Sequence, residues 1–376
     1  MSKKLERREF IKLAGIALVA GCTPSSPELI KKPQQKKPKF KLNSDLDAKI
    51  GQMLLLGFRG LEVKSENDAI VQDIHKGKIG GVILSVRNIK SPEQVKKLIQ
   101  DLQKYSESPL LVGIDYEGGL VNPLSQKYGF STTVSHQHLG NKNDPSLTEL
   151  YATLMAQTLA DLGINLNFAP VVDLNKNPNN LIIGKKERSF SDDSLIVTKH
   201  AKAFIKAHHK QNVRCVPKYF PGYGSAKTGS HLGMLDVTKT WSSMELFTYQ
   251  QLIKAGLADA IMTAHVFHKK LDPKMPATLS KPIITDLLRQ KLKFNGVVIS
   301  DNIQMKAIIN NYGLETAIEK TIEAGVDIIT IGNKHFEPNI AKQVILIIKK
   351  LVQKGKISEA RIDESYQRIM KLKQGI

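Results

Sequence analysis

Between residues 51 and 332 the chain alternates eight short apolar runs with longer amphipathic stretches, and this rhythm restricts its fold more than any other feature. The runs span 51–58, 80–85, 110–115, 166–173, 213–220, 260–266, 296–301 and 326–332. They are continuous instead of alternating apolar with polar residues, the signature of parallel strands buried on both faces. Helical patterns at 92–105, 146–162, 193–211, 281–292 and 314–324 fall between them, and two more, at 338–353 and 358–373, close the chain. Repeated strand–helix units at this count predict an α/β fold of the (β/α)8 TIM-type barrel kind. An open doubly wound sheet has the same rhythm, because pattern alone does not reveal closure. No Gly-x-Gly-x-x-Gly follows the first run, which removes the usual dinucleotide-binding reason for that alternative.

Polar residues interrupt the pattern in a particular place. Asp115, Asp173, Lys218, His265 and Asp301 stand at or near the C-terminal ends of predicted strands. A single Asp there is commonly only a helix cap or a turn residue. Charged or imidazole groups at five of the eight strand ends point instead to a site on the barrel face that carries active sites. The only cysteines are Cys22 and Cys215, and no Cys/His group has metal-ligand spacing. No disulfide framework, metal or cofactor is expected.

The N-terminus reads as targeting sequence, to be kept out of the fold. Within 1–22, Arg7-Arg8-Glu9-Phe10-Ile11-Lys12 resembles a twin-arginine signal, an apolar run follows, and Val19-Ala20-Gly21-Cys22 resembles a bacterial lipobox. A paired arginine also occurs in general secretory signals, so the route stays open. Cys22 is the expected lipidation site, giving an exported protein anchored on the periplasmic side of the envelope, with the outer membrane favoured because Thr23 follows. Residues 23–44 form a basic tether carrying Lys31, Lys32, Lys36, Lys37, Lys39 and Lys41 against Glu28. The formal net charge of +20 is read as a basic surface facing an anionic membrane. No nucleic-acid-binding motif accompanies it, so no nucleic-acid partner is expected. Residues 45–376 are assigned to one barrel domain, expected to be a monomer.

Several segments carry a resemblance. Lys218-Tyr219-Phe220-Pro221-Gly222-Tyr223-Gly224 precedes Gly229-Ser230-His231. Earlier come Gly113-Ile114-Asp115-Tyr116-Glu117-Gly118-Gly119, Asn167-Phe168-Ala169-Pro170-Val171-Val172-Asp173 and Arg188-Ser189-Phe190. Later come Ile261-Met262-Thr263-Ala264-His265, Pro276-Ala277-Thr278-Leu279-Ser280 and Val298-Ile299-Ser300-Asp301-Asn302. In this order and spacing they resemble family 3 glycoside hydrolases, in particular the short bacterial β-N-acetylglucosaminidases, from Ile50 to the C-terminus. The resemblance implies retaining hydrolysis of non-reducing-end N-acetylglucosamine from peptidoglycan-derived glycan. Asp301 would be the nucleophile and His231 the acid/base, while Asp115, Arg188 and Lys218 would hold the terminal sugar. Imidazole, with an ordinary pKa near ~6.5, suits proton transfer in both directions at neutral pH.

The departures from the family pattern fall in the same segments. Gly229 stands where the family has the Asp that orients the catalytic His, and Tyr219 and Tyr223 replace its two histidines. Leu120 and Pro123 replace two arginines, and Tyr116 replaces a glutamine. A phenol hydrogen-bonds but does not reproduce a guanidinium fork. These changes leave open a catalytically impaired glycan-binding lipoprotein, or a β-glucosidase or phosphorylase variant, since fold alone does not choose chemistry.

Overall fold

In the computed structural model the described residues are 45–227, 234–337 and 339–376. Cys22 and the tether therefore lie outside the described residues, as do Gly229 and His231.

Each predicted run supplies a strand. They are β1 (Leu54–Gly57), β2 (Gly81–Leu84), β3 (Leu111–Ile114), β4 (Leu166–Asn167), β5 (Arg214–Cys215), β6 (Lys218–Phe220), β8 (Ala260–Thr263), β10 (Val297–Ile299) and β11 (Ile329–Ile331). Pairing is parallel throughout: β11 with β1, then β1 through β5 in order, and β6 with β8 and β8 with β10. Strands β5 and β6 are two pieces of one run, parted at Pro217, which has no N–H for a ladder. Bridges Val171↔Lys218 and Ile299↔Ile328 join the remaining seams. The ring is thus closed, a (β/α)8 barrel, and the open-sheet alternative is excluded.

The edges of the runs differ from expectation for local reasons. Residues expected to begin the first strand instead end a helix, Leu46–Gln52, whose N-cap Asp45 accepts from the N–H of Asp47. The run 166–173 is strand only at its start, because Pro170 interrupts the ladder. A small sheet that the pattern did not announce, β7 (Leu235–Asp236) with β9 (Val266–Phe267), lies just beyond the end of β8.

The outer helices follow their apolar stripes. Pro92–Lys104 starts on Ser91, whose hydroxyl accepts from Gln94 N–H, with Pro92 at the first position, and it buries Val95, Leu98, Ile99 and Leu102. Pro145–Leu162 stops at Gly163, where φ is +85°, a conformation glycine adopts without penalty. The closing helix Glu359–Lys373 turns Lys373 inward, where its buried Nζ donates to Gln52 Oε1 at 2.6 Å and to the Gly80 carbonyl at 2.8 Å. At the N-terminal end of the strands, Asp327 is fully buried and collects Arg289 at 2.5 Å, Arg368 at 3.0 Å, Arg361 at 3.3 Å and Ser365 at 2.9 Å. Among the described residues no helix is long and apolar enough to cross a membrane.

Candidate active site

The opposite end of the barrel gathers the polar strand ends. Immediately after β3, Asp115 is half exposed and Glu117 is buried, while β6 begins with Lys218 at 0% exposure. The Lys218 ammonium contacts Asp115 Oδ1 at 2.5 Å and Glu117 Oε1 at 2.6 Å. Arg188, from the loop before helix Ser194–His209, grips Glu117 with both arms, Nε to Oε2 at 2.8 Å and Nη2 to Oε1 at 2.6 Å. Such a bidentate pair is geometrically demanding and strong. Two cations thus face two carboxylates, which is how buried charges become tolerable.

Burial alone would raise the Glu117 carboxyl, but the charges of Lys218 and Arg188 and the Arg188 hydrogen bonds overcome it and hold it down at about 2. Burial opposes charge on Lys218 too, and the attraction of Asp115 and Glu117 lifts it above the usual lysine value. Both groups stay ionised across the physiological range. Behind Arg188, the buried His136 ring stacks on Phe190 at 4.2 Å, and its Nδ1 lies 2.8 Å from the Arg188 carbonyl. Burial pushes this imidazole down to about 4, so it is neutral at pH 7 and its Nδ1–H donates to that carbonyl.

Tyr219 lies over the cluster. Its hydroxyl accepts from Arg188 Nη2 at 2.6 Å, and its ring centre is 5.1 Å from the guanidinium carbon and 5.3 Å from Lys218 Nζ. Cation–π attraction therefore adds to the hydrogen bond. The Tyr223 ring sits 5.6 Å from it, and both phenols feel the negative charge of Asp301. Asp301 follows β10, and its Oδ1 accepts from Asn302 N–H at 2.6 Å, which fixes the rotation of the carboxylate. Asp115, Arg188, Lys218 and Asp301 are thus brought to one mouth.

His265 is used differently. It is buried, with Nδ1 2.9 Å from Thr278 Oγ1 and Nε2 3.0 Å from the Asn302 carbonyl, so it supports the Asp301 turn from beneath. Tyr116 is a core residue whose backbone N–H is held by Asn167, and Leu120 projects into solvent at 69% exposure. Asp236, an acid within reach of the His231 segment in sequence, lies in β7 and accepts from Thr238 N–H at 2.8 Å. Glu117, absent from the residues singled out in sequence, is the hub of the cluster. It stood inside the quoted Asp-Tyr-Glu-Gly-Gly segment, but nothing local distinguishes it from a solvated glutamate.

A closed parallel barrel with carboxylates and cations converging on its C-terminal mouth defines the class of (β/α)8 barrel proteins with a polar ligand site. Residues 45–372 match the glycosyl hydrolase family 3 N terminal domain, and the chain belongs to that family. It is similar to beta-hexosaminidase A of Pseudoalteromonas piscicida, 33% identical over 368 residues, covering 86% of this chain and 60% of that protein. A beta-hexosaminidase of Tolumonas auensis is 33% identical over 283 residues, 74% of this chain and 82% of its own length. Among solved structures, a family 3 beta-N-acetylglucosaminidase from Paenibacillus sp. superposes with a TM-score of 0.81 at 35% identity, covering 88% of this chain and 62% of that one. The beta-N-acetylhexosaminidase of Beutenbergia cavernae gives 0.79 at 28% identity, covering 88% and 99%. The chain therefore spans less than two thirds of the Pseudoalteromonas and Paenibacillus proteins.

Proposed function

We propose that this protein is a retaining β-N-acetylhexosaminidase that removes non-reducing-end N-acetylglucosamine from peptidoglycan-derived glycan. The observation that carries the reading is the buried Lys218, held by Asp115 and Glu117 beside Arg188 at the mouth that also contains Asp301. The half-exposed Asp115 carboxylate offers an acceptor to sugar hydroxyls, and the Lys218 ammonium behind it fixes its position. Asp301 attacks the anomeric carbon as the glycosidic C–O bond breaks, and the leaving oxygen takes a proton from His231. A water, deprotonated by the same imidazole, then cleaves the glycosyl ester and frees Asp301. No cofactor enters this scheme.

Gly229 favours a second reading, glycan binding without turnover. It offers no carboxylate to orient His231, and loss of that partner costs about 10⁴-fold in a serine protease relay. Release of nitrophenol from the β-N-acetylglucosaminide, by wild type and by Asp301→Ala, separates the two. Hydrolysis predicts a loss on the order of 10⁴-fold or more in the variant. Equal, background rates with saturable binding of N-acetylglucosamine would leave binding alone.

The same proposal includes export and lipidation at Cys22, with the Lys-rich tether lying against anionic headgroups. Membrane fractionation of Cys22→Ser is its test. Release of the variant into the soluble fraction is expected, and unchanged fractionation would refute the anchor.

A further inference from the structure

Two carboxylates that the proposed chemistry does not use lie buried under the start of the segment leading toward His231. Asp173 is 1% exposed and Glu245 2%. Asp173 Oδ1 accepts the backbone N–H of Tyr223 and, at 3.2 Å, that of Gly224. Glu245 Oε2 accepts the N–H of Leu174, the residue after Asp173, also at 3.2 Å. Each carboxylate has one oxygen left over: Asp173 Oδ2 and Glu245 Oε1 are buried and make no hydrogen bond among the described residues. The packing around them is tight. A Cβ on Gly224 would stand 3.2 Å from that of Asp173, and one on Gly222 would stand 2.9 Å from that of Glu245.

Two ionised carboxylates do not persist together in such a place unless a cation or a proton lies between them. The charged groups facing Asp173 are the Arg188 guanidinium, which favours its ionised form, and Glu117, which opposes it. Lys176 is the cation that acts on Glu245. The Tyr249 phenol, on the same helix as Glu245, is buried near both carboxylates and makes no hydrogen bond among the described residues, and Tyr223 also feels Asp173. None of these cations donates a hydrogen bond to either carboxylate. Burial is the largest influence on both and drives both upward, and the charge of Asp173 adds to it at Glu245.

We propose that Asp173 and Glu245 share one proton between Oδ2 and Oε1, and that this O–H···O bridge is the strut holding the Tyr223–Gly224 backbone at the barrel mouth. The proton gives each leftover oxygen its missing partner and leaves the pair with a single negative charge. Asp173 is accordingly a positioning residue, acting through the two amides it accepts. Loss of the proton at alkaline pH sets two negative charges against each other in a dry site, which loosens the strut.

Asp173→Asn discriminates. Its amide oxygen still accepts from Tyr223 and Gly224, and its N–H replaces the shared proton with one that does not titrate. Thermal unfolding is followed for both proteins from about pH 5 to about pH 9, spanning the range into which burial raises such carboxyls. The wild-type midpoint is expected to fall relative to the variant by on the order of 3 °C per pH unit below the raised folded value, where only the unfolded chain has released the proton, and to level off above it. Other groups that titrate in the window, Lys373 among them, are common to both proteins and cancel in the difference. Asp173→Ala, which cannot accept from the two amides, is expected to lie below both at every pH. Parallel wild-type and Asn profiles would overturn the shared proton, as would an Asn variant no more stable than the Ala variant at acid pH. This readout needs no turnover, so its failure is distinct from failure of the hydrolase reading.

Discussion

Opposite ends of the barrel each bury an ion cluster, and they are built to different ends. Below the strands, Asp327 is wholly enclosed, and its two oxygens are used up by three arginines, Ser365 and the N–H of Val298. Above them, Glu117 is just as enclosed by Arg188 and Lys218, yet the same Lys218 extends to Asp115, whose side chain is 47% exposed. Buried charge by itself therefore does not mark a site. What marks the upper cluster is where its chain of contacts leads: Asp115 opens on the mouth that holds Asp301, whereas the lower one passes through Arg361 and Arg368 to Glu364, exposed on the closing helix. This matches the division of labour in barrels, with stability at the N-terminal face and chemistry at the C-terminal face.

Removing one partner from each cluster is the strongest way to break that contrast. Lys218→Met and Asp327→Asn are each expected to lower the unfolding free energy by about 3–5 kcal/mol, because charges are left buried without compensation. Only Lys218→Met is expected to abolish saturable binding of N-acetylglucosamine, measured by calorimetry on folded protein. An Asp327→Asn protein that lost sugar binding equally would erase the distinction.

A smaller effect concerns acid. The folded Glu117 carboxyl is held at about 2, below its ordinary value, so its ionic contribution is present above the ordinary glutamate range. That contribution is lost as pH falls from about 4 toward 2, and it is worth on the order of 3 kcal/mol. Denaturant midpoints of wild type and Glu117→Gln should therefore converge over that fall, and a constant gap would contradict the assignment. The smallest expected change is Tyr219→Phe. It removes the acceptor for Arg188 Nη2 while keeping the ring against the cations, costing about 1 kcal/mol, or roughly fivefold in sugar affinity. A loss of several orders of magnitude would mean that the Tyr219 hydroxyl itself holds the sugar.

The barrel was legible because its strands are buried on both faces, so each run is apolar from end to end, as in Leu54–Gly57. The boundaries were not. Pro170 and Pro217 sit within apolar runs and interrupt pairing without interrupting hydrophobicity. The helix Glu245–Lys254 escaped notice because its buried face includes Glu245 and Thr248, polar residues that break an apolar stripe. In the site, Asp115, Lys218 and Asp301 were visible as strand ends, and Arg188 through its resemblance. The roles of Glu117 and Asp173 were invisible because they depend on partners 71 and 50 residues away. His231 lies outside the described residues.

The seam of the ring has a consequence for how the protein is made. One strand, β11, closes both open edges, pairing with β1 on one side while Ile328 bridges to Ile299 of β10 on the other. Until the ribosome has added that strand, a nascent chain with seven of the eight in hand holds two unpaired β edges, the hazard that closed barrels otherwise remove. Synthesis must therefore pass residue 331 before the sheet is safe from sticking to its neighbours, and a stop anywhere before residue 329 leaves an aggregation-prone fragment in place of a smaller working domain.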